Sequence, residues 1–319
     1  DVLEELDAMG ESEVPHLILD YRELDKLLST YVKTLPQMIN PGTKRLHTTF
    51  NQNVAVTGRL SSDHPNLQNI PFRTEMGRRI RKGFIARPGR VLLSADYSQI
   101  ELRLLAHFSE DPVLVNAFKR DEDVHTQTAA EILGIPISQV SSQERSRAKT
   151  VNFGLMYGQS SFGLSQTLKI GRGEAKDYIT RYFEKFSRVK GFLDSLKEFC
   201  ELNGFVQTLL GRRRYLPDIH NQNRTVKAMA ERMAINAPIQ GTAADLIKVA
   251  MIHIANEMAA RHLQSKMLLQ VHDELIFEVS DEEIEIMKSL VKDKMENAAQ
   301  LRVPLKVEMG IGINWYDLK

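Results

Sequence analysis

The feature of this sequence that most restricts its fold is the position of its strand-like segments, which flank a long helical stretch. An apolar run at 91–95 predicts a buried strand, and the runs at 267–271 and 275–279 predict a strand, a tight turn and a strand. Between them, residues 112–203 have almost wholly helical spacing of apolar side chains. This separation of strands and helices predicts an α+β fold with one helical subdomain.

Other elements are predicted on either side of these segments. Helices are predicted at 1–40, 225–235, 243–261 and about 281–299, and strands at 46–60, 206–216 and 305–307. Pro238 and Gly241 predict a break between the second and third of these helices, because both residues disfavour a helix interior. Gly58 is predicted to end the early strands, and Gly211 to turn a small hairpin.

Composition bounds the class of protein. The 319 residues carry 42 Lys+Arg and 41 Asp+Glu, a net charge of +1, with 26% charged and 42% hydrophobic residues, which is typical of a soluble globular chain with about two domains or subdomains. The single cysteine, Cys200, excludes a disulfide framework and a cysteine-based zinc site and fits a reducing compartment. No apolar run is long enough for a membrane span, and the acidic start does not resemble a signal peptide. We therefore expect a cytoplasmic protein.

The charges are segregated along the chain. Basic residues cluster at 73–82, 145–149 and 212–232, and acidic residues at 4–25 and 278–285. Because a polyanion responds to the local field, a neutral chain of this kind can still form a basic groove. For any single cluster, solvated helix faces with paired charges are the favoured explanation.

Two aspartates are predicted at the ends of buried strands. Asp96 follows the strand at 91–95, and Asp273 lies in the turn before 275–279. A carboxylate among apolar neighbours is costly unless it is paired or binds a metal, and two of them could hold a pair of magnesium ions. Either aspartate alone could be a turn former. Glu274, which has no obvious structural reason to follow Asp273, favours the metal site.

A second pattern combines cations and aromatic rings. Arg145, Lys149, Phe153 and Tyr157 recur every four residues, so a helix would place them on one broad face. Cations suit a triphosphate, and a ring suits a stacked base. The alternative is an amphipathic helix with its rings in the core, but the shared face favours the functional interpretation.

Taken together, these motifs resemble the polymerase core of bacterial family A DNA polymerases of the DNA polymerase I type. The similar segments are DYSQIELR (96–103), RSRAKTVNFGLMYG (145–158), QVHDE (270–274), TGRLSSDHPNLQNIP (57–71) and AERMAINAPIQGTAAD (230–245). The resemblance implies a right-hand architecture with an antiparallel-sheet palm, helical fingers and a partial helical thumb. Its implied boundaries are 1–42 for the thumb, 43–112 and 229–319 for the palm, and 113–228 for the fingers.

The same resemblance implies a DNA-directed DNA polymerase that adds deoxynucleotides to a primer 3′ end and releases pyrophosphate. Asp96, Asp273 and the backbone carbonyl of Tyr97 would bind two Mg²⁺ ions, for which Mn²⁺ could substitute. Glu274 would be a supporting carboxylate near the primer end, and Lys149 the proton donor to pyrophosphate. Glu101 would lie beside the sugar C2′ and exclude a ribose hydroxyl.

Binding residues are implied in the same way. The dNTP would contact Arg145, Lys149, Phe153, Tyr157, His125, Glu101 and Gln99. Primer–template DNA would contact Arg59, Asn66, Gln68, Arg73, Arg232, Asn236, Gln240 and His272. Arg59 and Gln240 would read minor-groove acceptors, which every correct pair presents. Phe153, where the family has Phe or Tyr, implies discrimination against dideoxynucleotides.

The sequence departs from the family pattern in its first 40 residues, and two other functions are also considered. Residues 1–40 resemble only the later part of a thumb, and no proofreading or 5′-nuclease activity is expected of this chain. DNA and dNTPs are the expected partners, with no membrane partner and a monomeric state. A two-metal nuclease or phosphatase would not need the 145–157 pattern. A non-catalytic DNA-binding relative would be expected to lack Asp96 or Asp273.

Overall fold

The computed structural model describes residues 2–72 and 74–318. Of the predicted site residues, Arg73 alone lies outside this described part of the chain. The strands are β1 (Thr49–Asn51), β2 (Ser61–Asp63), β3 (Arg90–Tyr97), β4 (Phe205–Gln207), β5 (Arg213–Tyr215), β6 (Lys266–Val271), β7 (Glu274–Ser280) and β8 (Val307–Gly312). Strands flank a long helical region, so the predicted α+β class is confirmed.

The helices fall into an N-terminal group, a central group and two that pack on the sheet. They are α1 (Val2–Met9), α2 (Val14–Leu27), α3 (Thr34–Gln37), α4 (Glu75–Arg79), α5 (Ile100–Ser109), α6 (Pro112–Lys119), α7 (Val124–Leu133), α8 (Ser142–Met156), α9 (Ser161–Leu168), α10 (Arg172–Lys185), α11 (Ser187–Asn203), α12 (Arg224–Ala260) and α13 (Ile284–Glu296). A π-helical segment, Leu28–Lys33, joins α2 to α3, and short 3₁₀ segments include Ile80–Gly83 and Trp315–Leu318.

The central element is a four-stranded antiparallel sheet in the order β6-β7-β3-β8. Successive side chains of a strand point to opposite faces, so each face has its own core. Leu93 and Ala95 of β3 belong to the larger core, which includes buried residues of α5, α12 and α13. Leu92 belongs to a second core with the N-terminal helices and the 315–318 segment. The register places Asp96 opposite Glu274 on this second face.

Helices α7 and α8 both begin at well-defined caps. Asp123 accepts hydrogen bonds from the backbone N–H groups of His125 and Thr126 and so starts α7. Ser141 and Glu144 form a reciprocal capping box at the start of α8. The two helices pack against each other, which sets His125 beside the aromatic rings of α8.

The predicted break at Pro238 and Gly241 is wrong, because α12 continues through both residues. A proline inside a helix costs about 3 kcal/mol, so packing must offset it. Burial supplies that packing: Ala234, Ile235 and nearly every residue from 237 to 247 are inaccessible to solvent. Helix α12 is therefore continuous from Arg224 to Ala260.

Two strand boundaries also differ from the prediction. Within 46–60, all of which the structure describes, strand geometry is confined to 49–51, and its partner β2 follows at 61–63. The intervening residues form turns, with Gly58 at φ +82°. The terminal strand begins at Val307, two residues later than predicted, and extends to Gly312. The hairpin of β4 and β5 is confirmed, with Gly211 at φ +84° in its turn.

No helix within residues 2–72 and 74–318 is both long enough and apolar enough to cross a membrane.

Candidate active site

A cleft of about 640 Å³ opens at the end of the central sheet, between β3, the β6–β7 turn and helix α8. It brings together the predicted residues Asp96, Tyr97, Gln99, Glu101, His125, Arg145, Lys149, Phe153, His272, Asp273 and Glu274. These residues are as much as 178 positions apart in the sequence, from 96 to 274. The cleft therefore joins the predicted carboxylates to the predicted cationic and aromatic face.

The two aspartates are held by the backbone of adjacent strands. Asp96 is the second-last residue of β3, and Asp273 lies in the two-residue turn between β6 and β7. The backbone N–H of Tyr97 donates a hydrogen bond to the carbonyl oxygen of Asp273 at 3.1 Å. The Tyr97 hydroxyl donates to the carbonyl oxygen of Met295 at 2.7 Å and anchors the strand end in the core. His272 completes the turn in the left-handed region, at φ +55°.

Negative charge is concentrated at this turn. Burial, together with the nearby carboxylates of Glu101 and Asp96, raises the pKa of Asp273 to about 6, although the Arg59 guanidinium acts in the opposite direction. A divalent cation would relieve this repulsion. Such a site would be built from few side chains, since no group of three or more His, Cys, Asp or Glu residues in the described ranges is arranged to hold a metal ion. Mg²⁺ suits two carboxylates and a carbonyl because it retains water and binds phosphates.

Helix α8 faces the carboxylates with the predicted combination of cations and rings. Arg145 and Lys149 are solvent-exposed on the wall of the cleft, and Phe153 is half-buried. Arg145 Nε donates to Asp123 Oδ2 at 2.5 Å. The Phe153 and Tyr157 ring centroids are 6.4 Å apart. Of the four residues predicted on one helix face, Arg145, Lys149 and Phe153 line the cleft, and Tyr157 is the residue that follows α8.

His125 is buried between α7 and α8, with its ring 5.9 Å from that of Phe153. Burial, together with the cations Arg145 and Lys149, lowers the pKa of His125 to about 4, although the Asp123 carboxylate acts in the opposite direction. Asn152 Nδ2 lies 3.1 Å from His125 Nδ1 and also donates to Thr128 Oγ1. With Asn152 as donor, Nδ1 accepts and the imidazole proton is on Nε2.

Glu101 is a buried carboxylate held by two donors. Arg59 Nη2 donates to Oε1 at 2.8 Å, and the Tyr157 hydroxyl donates to Oε2. Burial and the negative charge of Glu101 raise the pKa of Tyr157, so its hydroxyl keeps its proton. Gln240 on α12 also hydrogen-bonds to Tyr157. Residues predicted separately for nucleotide and DNA contact thus form one connected group.

The remaining predicted DNA contacts have different surroundings. Gln68 Nε2 donates to the Gln270 side chain at 2.9 Å, beside the turn that carries His272, and Asn66 caps the short helix containing Gln68. Asn236 Oδ1 is buried on α12 with no hydrogen-bond partner among the described atoms. Arg232 does not line the cleft of about 640 Å³ and instead lines a second cleft of about 720 Å³.

Sequence reasoning missed several side chains that support the site. Asp123 and Asn152 hold Arg145 and His125, and their positions next to a helix start and to Phe153 were the only available signals. Arg103, in the first matched motif, donates to the carbonyl oxygens of Ser98 and Pro304 and has a structural role. Arg81, from the basic run at 73–82, is buried 4.6 Å from the Trp315 ring.

Comparisons with known proteins agree with this geometry. The family model described as DNA polymerase family A matches residues 1–317. DNA polymerase I of Caldicellulosiruptor bescii is 51% identical over 319 residues, which are 100% of this chain and 37% of that protein. The thermostable DNA polymerase I of Thermus filiformis is 51% identical over 310 residues, 97% of this chain and 37% of that protein. The chain thus spans little more than a third of the length of these curated relatives.

A solved structure is similar over the whole chain. It is described as the POL domain of Pol1 from M. smegmatis in complex with DNA primer-template and dNTP. It superimposes with a TM-score of 0.96 at 45% identity, covering 100% of this chain and 56% of that one. The right-hand architecture expected from the motifs is confirmed by this match.

Proposed function

The chain belongs to DNA polymerase family A, and from this membership we propose that it is a DNA-directed DNA polymerase that extends a primer with deoxynucleotides. The observation that carries the proposal is the single cleft in which Asp96 and Asp273 face Arg145 and Lys149. Carboxylates on one wall and cations on the other suit the transfer of a nucleotidyl group from a triphosphate.

Magnesium is the proposed cofactor, with manganese as a substitute. Asp96, Asp273 and the Tyr97 carbonyl would hold two ions, which when bound favour the primer 3′-oxyanion and neutralise the leaving pyrophosphate. The raised pKa of Asp273 supports this assignment, because it reflects burial of the carboxylate near the negative charges of Glu101 and Asp96, where a cation would stabilise the ionised form. We assign Glu274, opposite Asp96 in the sheet, to the support of this pair.

The triphosphate would lie along α8. Arg145 and Lys149 would bind its phosphate oxygens, and Lys149 would protonate the leaving pyrophosphate. His125 would act as a neutral hydrogen-bond donor through Nε2, since Asn152 occupies Nδ1. Phe153 would pack against the nucleotide, with Tyr157 beside the templating base and Gln99 at the cleft entrance.

Glu101 would select the sugar. Its carboxylate is held from two sides by Arg59 and Tyr157 and is almost completely buried. A carboxylate fixed in this way cannot move aside to accommodate an added 2′-hydroxyl. We therefore propose that Glu101 makes the enzyme prefer deoxyribonucleotides.

DNA contacts would extend from this group along two surfaces. Arg59 and Gln240 would read minor-groove acceptors, and Gln68 and His272 would hold the primer side near the β6–β7 turn. Asn66 and Asn236 are proposed as further contacts, and Arg232 as a contact to the template in the second cleft. Arg73 stays a prediction outside the described residues.

A labelled primer annealed to a longer template tests the proposal directly. With Mg²⁺ and four dNTPs, we expect stepwise extension, which stops when EDTA removes the metal. Shortening of the primer instead of extension would support the rival two-metal nuclease. Binding without either reaction would support a non-catalytic DNA-binding protein.

The finer expectations are tested alongside. With dNTPs omitted, neither end of the labelled DNA should shorten, because proofreading and 5′-nuclease activities are not proposed for these 319 residues. We also propose that the protein acts as a monomer in the bacterial cytoplasm, at nucleoid DNA. Light scattering should then give a mass near 36.3 kDa.

A further inference from the structure

A charged cluster built around the buried Asp245 has no role in the function proposed above. We call it the Asp245 cluster, and it consists of Asp245 and Lys248 on α12 with Thr208 and Arg212 at the ends of the β4–β5 turn. Asp245 is 5% exposed, so its carboxylate needs partners. Thr208 Oγ1 donates to Oδ2 at 2.7 Å, and Arg212 Nε donates to Oδ1 at 2.8 Å.

The cluster also contacts the loop that carries Arg59. Lys248 Nζ donates to the carbonyl oxygen of Gly58 at 2.5 Å. The Arg212 guanidinium packs directly on Gly58, where an added Cβ would lie 2.6 Å from Nε. Gly58 has φ +82°, a left-handed conformation in which any other residue would be strained. The loop is thus held from its carbonyl side and from its Cα side at one residue.

The next residue along the chain is Arg59, whose guanidinium reaches Glu101 at 2.8 Å. A shift of Gly58 would therefore move Arg59 away from the place where it meets Glu101 and the proposed minor groove. We propose that the Asp245 cluster positions Arg59, and that it sets how strongly the enzyme discriminates against a mismatched primer end. This inference rests on the proposed role of Arg59 as a reader of minor-groove acceptors.

The cluster also accounts for part of the basic run at 212–214. The charge of Arg212 is neutralised by the carboxylate of Asp245, with Nη2 at 2.7 Å from Oδ1. Arg212 Nε and Nη2 both contact Oδ1 of Asp245, and because Asp245 is buried, loss of this contact would leave its charge poorly compensated. Arg212 therefore orients a loop instead of adding to a general basic surface.

The variant Asp245→Asn keeps the shape of the side chain and removes its charge. We expect extension of a matched primer end to change little and discrimination against a mismatched end to fall by about tenfold. In an Arg59→Ala background, the same substitution should have no further effect on discrimination, because the cluster acts through Arg59. An equal loss in both backgrounds would overturn the proposal, since it would indicate general destabilisation.

Hydrogen exchange gives a readout that does not depend on polymerase activity. The Gly58 amide donates to the carbonyl oxygen of Ala55 at 2.9 Å, and its exchange should become about tenfold faster in Asp245→Asn. If the parent fails to extend primers, the proposed function fails, and this arm still shows whether the cluster holds the loop. Unchanged exchange at 55–60 would overturn the positioning role.

Two further variants complete the design. Thr208→Val removes the hydroxyl that bridges Asp245 and the Arg212 amide and serves if Asp245→Asn does not fold. It should reproduce the same loss in discrimination. Glu257→Gln neutralises a half-buried partner of Arg261 that lies on α12 outside the cluster, and it should leave discrimination and exchange unchanged. A matching effect in Glu257→Gln would contradict the assignment.

Discussion

At the scale of single residues, the site keeps one polar side chain neutral and holds another in a fixed position. His125 lies beside two cations and stays neutral, because burial and those charges lower its pKa to about 4. The Glu101 carboxylate accepts hydrogen bonds from Arg59 and Tyr157. Each arrangement removes a freedom that the side chain has in water, and each can be tested by one substitution.

The first prediction concerns stability against pH. An unfolded histidine titrates near pH 6.5, so between that value and about 4 the unfolded state binds more protons than the folded state. Folding stability should therefore fall as pH falls through this window, by about 2 kcal/mol at pH 5 from His125 alone. Urea unfolding at pH 7.5 and pH 5 measures the free energy of unfolding of the parent and of His125→Gln. Equal losses in the two proteins would exclude His125 as the cause.

The second prediction concerns sugar selection by Glu101. Glu101→Ala opens space beside the bound sugar, so ribonucleotide incorporation relative to deoxynucleotide should rise by about tenfold or more. Single-nucleotide extension with each substrate measures the ratio. Tyr157→Phe removes one of the two donors and leaves Arg59, so it should shift the ratio less. An unchanged ratio in Glu101→Ala would refute the assignment.

At the scale of elements, helices follow local signals where the chain is exposed and follow packing where it is buried. The sequence contains recognisable signals for α8, namely its capping box and the four-residue pattern of the face that lines the cleft. Pro238 misleads, because the cost of a proline is outweighed by burial along α12 that only the complete fold supplies. The predicted ends of the early strands are wrong for a related reason, because β1 pairs with a segment that lies beyond Gly58.

Two glycines illustrate this difference and give the third prediction. Gly191 lies inside α11 with nothing within 4 Å of an added Cβ, so Gly191→Ala should stabilise the protein by about 0.5–1 kcal/mol. Gly158 follows Tyr157 at φ +70°, with the Ile235 side chain 3.2 Å from an added Cβ. Gly158→Ala should destabilise by about 1–2 kcal/mol. Denaturant midpoints measure both, and the same sign for the two variants would contradict this account.

At the scale of the whole molecule, the net charge of +1 conceals an uneven distribution. Arg145 and Lys149 line the cleft on α8, but Arg145 is paired with Asp123, as Arg212 is with Asp245 and Arg45 with Glu278. Sequence clusters of charge therefore overestimate the number of cations open to DNA. Which cations are paired depends on partners as much as 233 residues away, as for Arg45 and Glu278, and no local pattern encodes that.

The fourth prediction follows from this distribution. Neutralising about four phosphates should weaken primer–template binding by about 100-fold between 50 and 200 mM salt. Arg232→Ala, which removes a proposed template contact, should reduce the logarithmic salt slope by about 1. Lys292 lies on α13, behind the sheet, so Lys292→Glu should leave the logarithmic salt slope of DNA binding unchanged. Salt-independent binding would contradict the proposed interface.

The sequence predicted much of the catalytic cleft and little of what supports it. Asp96 and Asp273 could be recognised because strand ends and turns are local patterns, and the matched motifs supplied their proposed partners. Three supporting features join residues that are distant in sequence: the Arg59–Glu101 hydrogen bond, the Asn152–His125 contact and the Asp245 cluster. Such contacts follow from how α7, α8 and α12 pack, which no short pattern records.

The central claim is that Asp96 and Asp273 together support nucleotide addition, and single-turnover primer extension with Mg²⁺ tests it most directly. Asp96→Asn and Asp273→Asn preserve side-chain shape and should each slow extension by at least about 1,000-fold. Glu308→Gln, opposite Asp96 in β8 and solvent-exposed, controls for loss of a carboxylate at the same sheet end and should extend near the parent rate. Extension at the parent rate by either aspartate variant, with the fold intact, would contradict the account.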